Sequence, residues 1–190
     1  SNKELSNKLL EIESLIDITE IIDNHEVVKE NLFQNILITI ISILNSSKGM
    51  ILLKDEKGGF FSVISQFNIL SEDLPKKIVR ITKGILKDLN NDRRPKIIDE
   101  TQNYELLKSS KKNCIVSPII SSGIIEGVIL LFDKESRNGL VKFTQQDLRL
   151  FDSLVKKLSL AYDNIRLIDS LKTSNKLVEN IMSSITTGII

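Results

Sequence analysis

The chain has 190 residues, enough for one domain with added helices, and its 26 basic and 25 acidic residues nearly cancel, which argues against a dedicated nucleic-acid surface. One Cys and one His exclude an intramolecular disulfide and a Cys/His zinc cluster, and this cysteine usage fits a reducing, cytoplasmic compartment. The longest apolar run, Ile36 to Leu44, is broken by Thr39 and Ser42 and is too short to span a bilayer, so no membrane contact is expected of this chain.

Residues 3–22 read as a first helix, with Leu5, Leu9, Ile12, Leu15, Ile16 and Ile22 near one face. Asp23-Asn24 breaks it. A second helix follows from Glu26 to Leu44, apolar nearly all round and therefore expected against a sheet. Met50 to Lys54 reads as a strand, Asp55 to Gly59 as a turn, and Phe60 to Phe67 as the antiparallel partner. Ser71 can cap a third helix with Pro75 in its first turn and Leu74, Ile78, Ile81, Ile85 and Leu89 as its buried stripe. Asn90 to Arg94 is a polar break, Lys96 to Ile98 a short strand, and Tyr104 to Lys108 one or two helical turns. Ile115 to Ile120 and Ile124 to Phe132, around Ser121-Ser122-Gly123, read as a hairpin. Thr144 then caps a long helix, with Asp147 at its third position as a variant capping box and Phe143 and Leu148 as a hydrophobic staple. The order predicts an α+β fold around an antiparallel sheet.

From Phe151 the terminal helix carries apolar residues at three- and four-residue steps: Phe151, Leu154, Leu158, Ala161, Ile165 and Ile168. The stripe meets Lys172 and Asn175 and resumes at Val178, Met182 and Ile185. From Thr144 to Leu171 such a helix is about 42 Å long at 1.5 Å per residue. The stripe fits either a helix covering its own sheet or the seam of a parallel homodimer through the terminal helices. In the second case Lys172 and Asn175 mark a place where the register can shift. The chain starts Ser1-Asn2 without Met and stops within Gly188-Ile189-Ile190, which points to a piece of a longer protein.

No catalytic constellation is evident. His25 stands at a helix start and reads as a cap or surface residue. Cys114 opens a strand and reads as a packed thiol. Asp99-Glu100 is the adjacent acidic pair near the expected pocket, but neighbours on an extended strand end point in opposite directions. Gly58-Gly59 is a hairpin turn, not a phosphate loop.

Several segments in order resemble the GAF domain, a family of small-molecule-binding regulatory modules. They are Ser117-Pro118-Ile119, Gly127-Val128-Ile129, Phe143 to Leu148, and Ala161, with Met50 to Asp55, Gly84-Ile85 and Pro95 to Asp99 matching upstream. The resemblance covers residues 8–169. It implies an antiparallel sheet with long N- and C-terminal helices on one face and pocket-forming helices on the other. The corresponding division is an N-terminal helix (1–22), the GAF domain (23–169) and a linker helix (170–190). Asn180 to Ile190 resembles the opening of a PAS domain.

The resemblance also implies a ligand pocket walled by Phe67, Asn68, Ile85, Leu86, Asp99, Thr101 and Tyr104. Thr101 and Gln102 are suited to hydrogen-bond a base or amide, and Tyr104 to stack. Arg93 and Arg94 fit either an anionic ligand group or a solvated loop. Lys134, Phe143 and Asp147 match part of a cyclic-nucleotide-binding signature, while Asp133 and Leu148 depart from it. Cyclic AMP or cyclic GMP is therefore the sharpest ligand expectation, with Lys134 and Asp147 expected to fasten the loop to the helix. The implied function is a cytoplasmic, non-enzymatic sensor that controls a downstream output domain in the same chain. The alternative is a ligand-free scaffold for dimerisation. Cys114 lacks a neighbouring His, which argues against a bilin attachment site. A lone Cys argues against the multi-cysteine methionine sulfoxide chemistry of some relatives.

Overall fold

The computed structural model describes residues 2–3, 6, 25–55, 59–75, 79–80 and 84–188. Apart from residues 3 and 6, the expected helix over 3–22 lies outside the described residues. Helix α1 (His25–Leu44) leads into strands β1 (Ser46–Lys54), β2 (Phe60–Phe67) and β3 (Val79–Arg80). Helix α2 (Gly84–Asp92), strand β4 (Lys96–Ile98) and two 3-10 turns (Thr101–Asn103 and Glu105–Leu107) follow. Strands β5 (Cys114–Ser121), β6 (Ile124–Ser136) and β7 (Gly139–Val141) precede the terminal helix α3 (Gln145–Gly188). The sheet is antiparallel in the order β3-β2-β1-β6-β5-β4, with β7 paired to the far end of β6.

Both faces of the sheet are covered, so its central strands are nearly continuous apolar runs. On one face Ile51, Leu53, Ile115, Ile119, Ile129 and Leu131 meet α1 and the first half of α3. On the other, Met50, Leu52, Cys114, Val116, Leu130 and Phe132 meet α2 and the 3-10 turns. Neighbours along each strand therefore serve opposite cores. Helix α1 contributes Leu32, Phe33, Ile36, Leu37, Ile40, Ile41 and Leu44 and ends at Asn45, whose φ of 51° gives a left-handed cap. Phe33 meets Tyr162 of α3 with ring centroids 5.9 Å apart, which joins the two helices over the sheet.

Three expectations are corrected. No single helix runs from Ser71 to Leu89. Ser71–Leu74 is a turn, Val79–Arg80 pairs with Phe60–Phe61 as an edge strand, and α2 starts at Gly84. The local cause is legible: Ile78-Val79 and Ile81-Thr82 are β-branched, and Gly84 sits at φ 57°, outside the right-handed helical region. The first strand starts at Ser46 rather than Met50, because Ser46 and Ser47 both donate to the Phe132 carbonyl and continue the β1–β6 ladder. Strand β6 runs on to Ser136 and turns into β7, a further hairpin that the polar sequence 133–141 concealed.

Strand β5 pairs with β4 only over Cys114–Val116, so its outer edge is open beyond that point. Pro118 lies on this stretch and removes a donor, and the Arg93 guanidinium donates to the Gly123 carbonyl at the hairpin end.

The pairing of β1 with β6 tolerates no side chain at Gly127. A Cβ there would stand 2.6 Å from Leu53 Cδ2 and 2.8 Å from the Leu52 carbonyl oxygen. At Gly49 the obstructing atoms are all side-chain methyls of Ile41, Leu37 and Leu131. Gly127→Ala is therefore expected to destabilise the fold by about 1–3 kcal/mol in urea denaturation, and Gly49→Ala by less. Equal or reversed costs would show that the backbone carbonyl is not the obstacle.

Candidate functional site

The site is built where α2 closes the second face of the sheet. Ile85, Leu86 and Leu89 point from α2 into the cluster of Phe61, Ile69, Leu107 and Phe132. Gly84 leaves room beside the helix start. A Cβ there would lie 4.0 Å from Tyr104 Cδ1, so the Tyr104 ring rests against this turn. The Tyr104 hydroxyl donates to Asp88 Oδ2 at 2.7 Å, and that bond, with Asp88's negative charge and partial burial, raises the phenol above its ordinary pKa. Thr101 is buried in the preceding 3-10 turn, and its carbonyl accepts from the Tyr104 amide at 3.1 Å. The structure thus brings Ile85, Leu86, Thr101 and Tyr104 together.

Phe67, Asn68 and Asp99 are placed elsewhere. Strand β2 has one extra residue at Ile64, since Val63 opposes Leu52 while Ser65 opposes Ile51. This bulge reverses the face of everything after it. Phe67 opposes Gly49, whose missing side chain would meet Leu37 and Ile41, so Phe67 stands on the α1 face. Asn68 adopts φ 54° and donates to the Ser47 carbonyl at 3.0 Å, closing the turn after β2. Asp99 is exposed and turns toward the start of α3, where Lys142 Nζ lies 2.9 Å from Oδ1 and Asn113 Nδ2 3.3 Å. The Lys142 hydrogen bond chiefly holds the Asp99 carboxyl below the usual carboxylate range. Arg93, at φ 54°, is engaged with Gly123.

Two features escaped sequence reasoning. The first is a buried polar junction beneath the 108–113 loop. Asp133, at φ 50°, accepts from Ser110 Oγ at 2.8 Å, the Lys111 amide at 2.9 Å and the Lys112 amide at 2.6 Å. Its own amide donates to the Asn113 carbonyl at 2.9 Å. Asn113 in turn accepts from the Phe143 amide at 2.8 Å and donates to the Phe143 carbonyl at 3.3 Å. The next residues cap α3: the Thr144 amide donates to Asp147 Oδ2 at 2.8 Å, and Lys134 Nζ sits 2.7 Å from Asp147 Oδ1. The expected fastening of Lys134 to Asp147 is present. The second feature is an open, largely apolar cleft of about 390 Å³ between the free edge of β5 (Pro118, Ile120) and α3 (Val155, Ser159, Leu160). It exists only once α3 lies beside β5, which no local pattern announces.

Cys114 is fully buried, and burial pushes its thiol up to about 12, with a Ser110 hydrogen bond opposing the shift in part. Among the described residues no group of three or more His, Cys, Asp or Glu could hold a metal ion.

A sheet covered by α1 and α3 on one side and by a short helix with 3-10 turns on the other coincides with a family match. The profile of the GAF domain matches residues 29–162. The chain belongs to the GAF domain family. Such domains are sensory and regulatory modules of signalling proteins. No curated protein matches the chain. Among solved structures, the GAF domain of a phosphoenolpyruvate-protein phosphotransferase from Coxiella burnetii is similar with a TM-score of 0.64 at 14% identity, over 87% of this chain and 98% of that one. Residues 122 to 287 of a methyl-accepting chemotaxis protein give a TM-score of 0.64 at 17% identity, over 83% and 98%. Free methionine-R-sulfoxide reductase from Neisseria meningitidis, in complex with its substrate, gives 0.63 at 12% identity, over 83% and 89%. At these identities the likeness is one of fold. No helix among the described residues of this GAF domain is long and apolar enough to cross a membrane.

Two outcomes follow from the geometry. Asp133→Ala leaves two amides and a hydroxyl without their acceptor and is expected to cost about 2–4 kcal/mol in urea denaturation; a cost below 0.5 kcal/mol, within the ordinary surface range, would remove Asp133 from the junction. Cys114 should not react with a thiol reagent near pH 8 in the native protein, and should react at once in urea. Rapid native labelling would contradict its burial.

Proposed function

We propose that this GAF domain is a regulatory sensor that binds a small molecule beside α2 and passes the binding event through α3 to an output module of the same chain. The observation that carries the reading is the bonded path from the candidate site to the start of α3. The turn bearing Thr101 and Tyr104 is preceded by Asp99, which is tied to Lys142 and Asn113. Asn113 holds Phe143, and Phe143 directly precedes the cap of α3. Movement of the 99–104 segment on ligand binding therefore acts on the root of the helix. Helix α3 spans 44 residues, about 66 Å at 1.5 Å per residue.

Tyr104 offers a ring at the site rim and Thr101 a hydroxyl, a combination suited to a nucleobase. Cyclic AMP or cyclic GMP is the ligand we propose first. The reading places the domain in the cytoplasm, upstream of an output module or of a second sensory module of the PAS type beginning near Asn180. The residues of that stretch up to Gly188 continue α3. The reading is non-enzymatic: the buried, high-pKa thiol of Cys114 is unsuited to sulfoxide chemistry.

A second reading has its own support. Phe61, Ile69, Ile85, Leu86 and Phe132 fill the space between sheet and α2 with the domain's own side chains. This packing favours a ligand-free scaffold. A thermal-shift titration with cyclic AMP, cyclic GMP and other nucleotides separates the two. The sensor reading expects a saturable rise in Tm, with the apparent affinity weakened at least tenfold in Tyr104→Ala, about 1.4 kcal/mol. No shift with any of these compounds would sink the nucleotide proposal and favour the scaffold.

A further inference from the structure

The cleft between β5 and α3 has a cause in the sequence. Strand β4 pairs Lys96 with Val116, so the next pairs in register would be Pro95 with Ser117 and Arg94 with Pro118. Neither proline has an amide to donate, so the ladder stops there and the two chains part. Helix α3 crosses the gap with Val155, Ser159 and Leu160 without filling it, which leaves the open cleft of about 390 Å³. That volume lies within the range of small-molecule sites. The space beneath α2, in contrast, is occupied by the domain's own side chains.

Three polar groups that line the cleft are short of partners. Ser117 is only 2% exposed, and among the described residues its hydroxyl meets the neighbouring Pro118 carbonyl at 3.3 Å, long for an O–H···O bond. Arg93 reaches in from the cap of α2, where its backbone holds φ 54° and its amide donates to the Leu89 carbonyl at 2.8 Å. Its guanidinium donates to the Gly123 carbonyl, a neutral partner that leaves the charge and most of the N–H donors unused. Asp163 reaches in from α3 and accepts from the Ser121 hydroxyl, again a neutral partner. Among the described residues neither Arg93 nor Asp163 is in an ion pair, whereas the charges around them are matched: Lys156 with Asp152 at 2.6 Å and Arg166 with Glu126 at 2.7 Å. Ser121 and Gly123 belong to one hairpin turn, so the unmatched cation and the unmatched anion stand at the same end of the cleft. Pro118, Val155 and Leu160 offer apolar surface beside them, with Leu160 64% exposed.

We propose that this cleft binds a free α-amino acid with an apolar side chain. Its carboxylate meets the Arg93 guanidinium, its ammonium meets Asp163, and its side chain covers Pro118, Val155 and Leu160. The buried Ser117 hydroxyl serves the same ligand as a further hydrogen-bond partner. Charge decides for a zwitterion. A carboxylate alone satisfies Arg93 and leaves Asp163 desolvated beside the ligand, and an amine alone does the reverse. A phosphate adds negative charge to a rim that already holds Asp152 and Asp163. The cleft shares no residue with the site beside α2, so the proposal goes beyond the nucleotide reading and does not depend on it. Its occupant bridges the cap of α2 and the middle of α3, a route to the helix that does not pass through Asn113.

The test is an NMR titration of the whole isotope-labelled chain with L-valine, L-leucine, L-methionine and L-phenylalanine. At least one is expected to give saturable amide shifts confined to 117–123 and 152–163. The matching acid without the ammonium and the matching amine without the carboxylate (isocaproate and isoamylamine for leucine) should bind about tenfold more weakly or not at all. Arg93→Gly keeps a left-handed cap that suits glycine, and Asp163→Asn keeps an acceptor for Ser121, so both should fold with the Tm of the parent chain. Each should weaken amino-acid binding roughly tenfold or more, while Tyr104→Ala leaves it unchanged. Shifts with none of the four amino acids, isocaproate binding as tightly as leucine, or affinity unmoved in Arg93→Gly and Asp163→Asn each overturn the proposal. A cyclic-nucleotide shift without amino-acid binding overturns the cleft and leaves the sensor reading; amino-acid binding without a nucleotide shift does the reverse.

Discussion

Asn113 holds the main chain at Phe143 in both directions, accepting from its amide and donating to its carbonyl, and it does so from an almost wholly buried position. Side-chain amides that copy a strand pairing in this way act as a backbone joint where no strand is present. The joint sets where α3 leaves the sheet. Thr144, Asp147 and Lys134 then fix the helix direction within its first turn. Because Asn113 is also bonded through its carbonyl to Asp133 and Ser110, the same joint closes the loop before β5. Loss of any member leaves buried polar groups without partners, which in a low-dielectric interior costs more than the bond itself contributed.

Around that joint the two faces of the sheet differ in what covers them. The face covered by α1 and α3 is a dense aliphatic and aromatic core. The face under α2 is capped by a short helix and 3-10 turns, which add Ile85, Leu86, Leu89 and Leu107 to its apolar cluster and carry half-buried polar side chains such as Tyr104 and Asp88 at their rim. Segments of that kind open at lower free energy than core strands.

Much of this was readable in the residues. The strands Phe60–Phe67 and Lys96–Ile98, the hairpin and the cap at Thr144 follow from alternation, turn residues and capping chemistry, all of which are local, whereas the Lys134–Asp147 tie was expected from the family resemblance. Placement of the site was only partly readable. Ile85, Leu86, Thr101 and Tyr104 come together, but Phe67 faces α1. The single extra residue at Ile64 that turns Phe67 over has no sequence mark, since Val63, Ile64 and Ser65 read as an unbroken strand. Asp99 was expected in the pocket from the family resemblance, and only the approach of Lys142, 43 residues later, draws it to the helix root.

Composition and periodicity by themselves determined the α+β class, the long capped terminal helix, and the absence of Cys/His metal chemistry, because each depends on residue type and near neighbours. Tertiary structure decided which side of α3 is covered. Sequence spacing offered the stripe of Phe151, Leu154 and Leu158, and the same helix also carries apolar residues at Leu160, Leu167 and Leu171 on another face. The sheet removes one from water along with the first half of the helix and leaves the other exposed. The choice depends on how α3 is rotated where it leaves Asn113 and Lys134, a long-range constraint that no window of neighbouring residues contains.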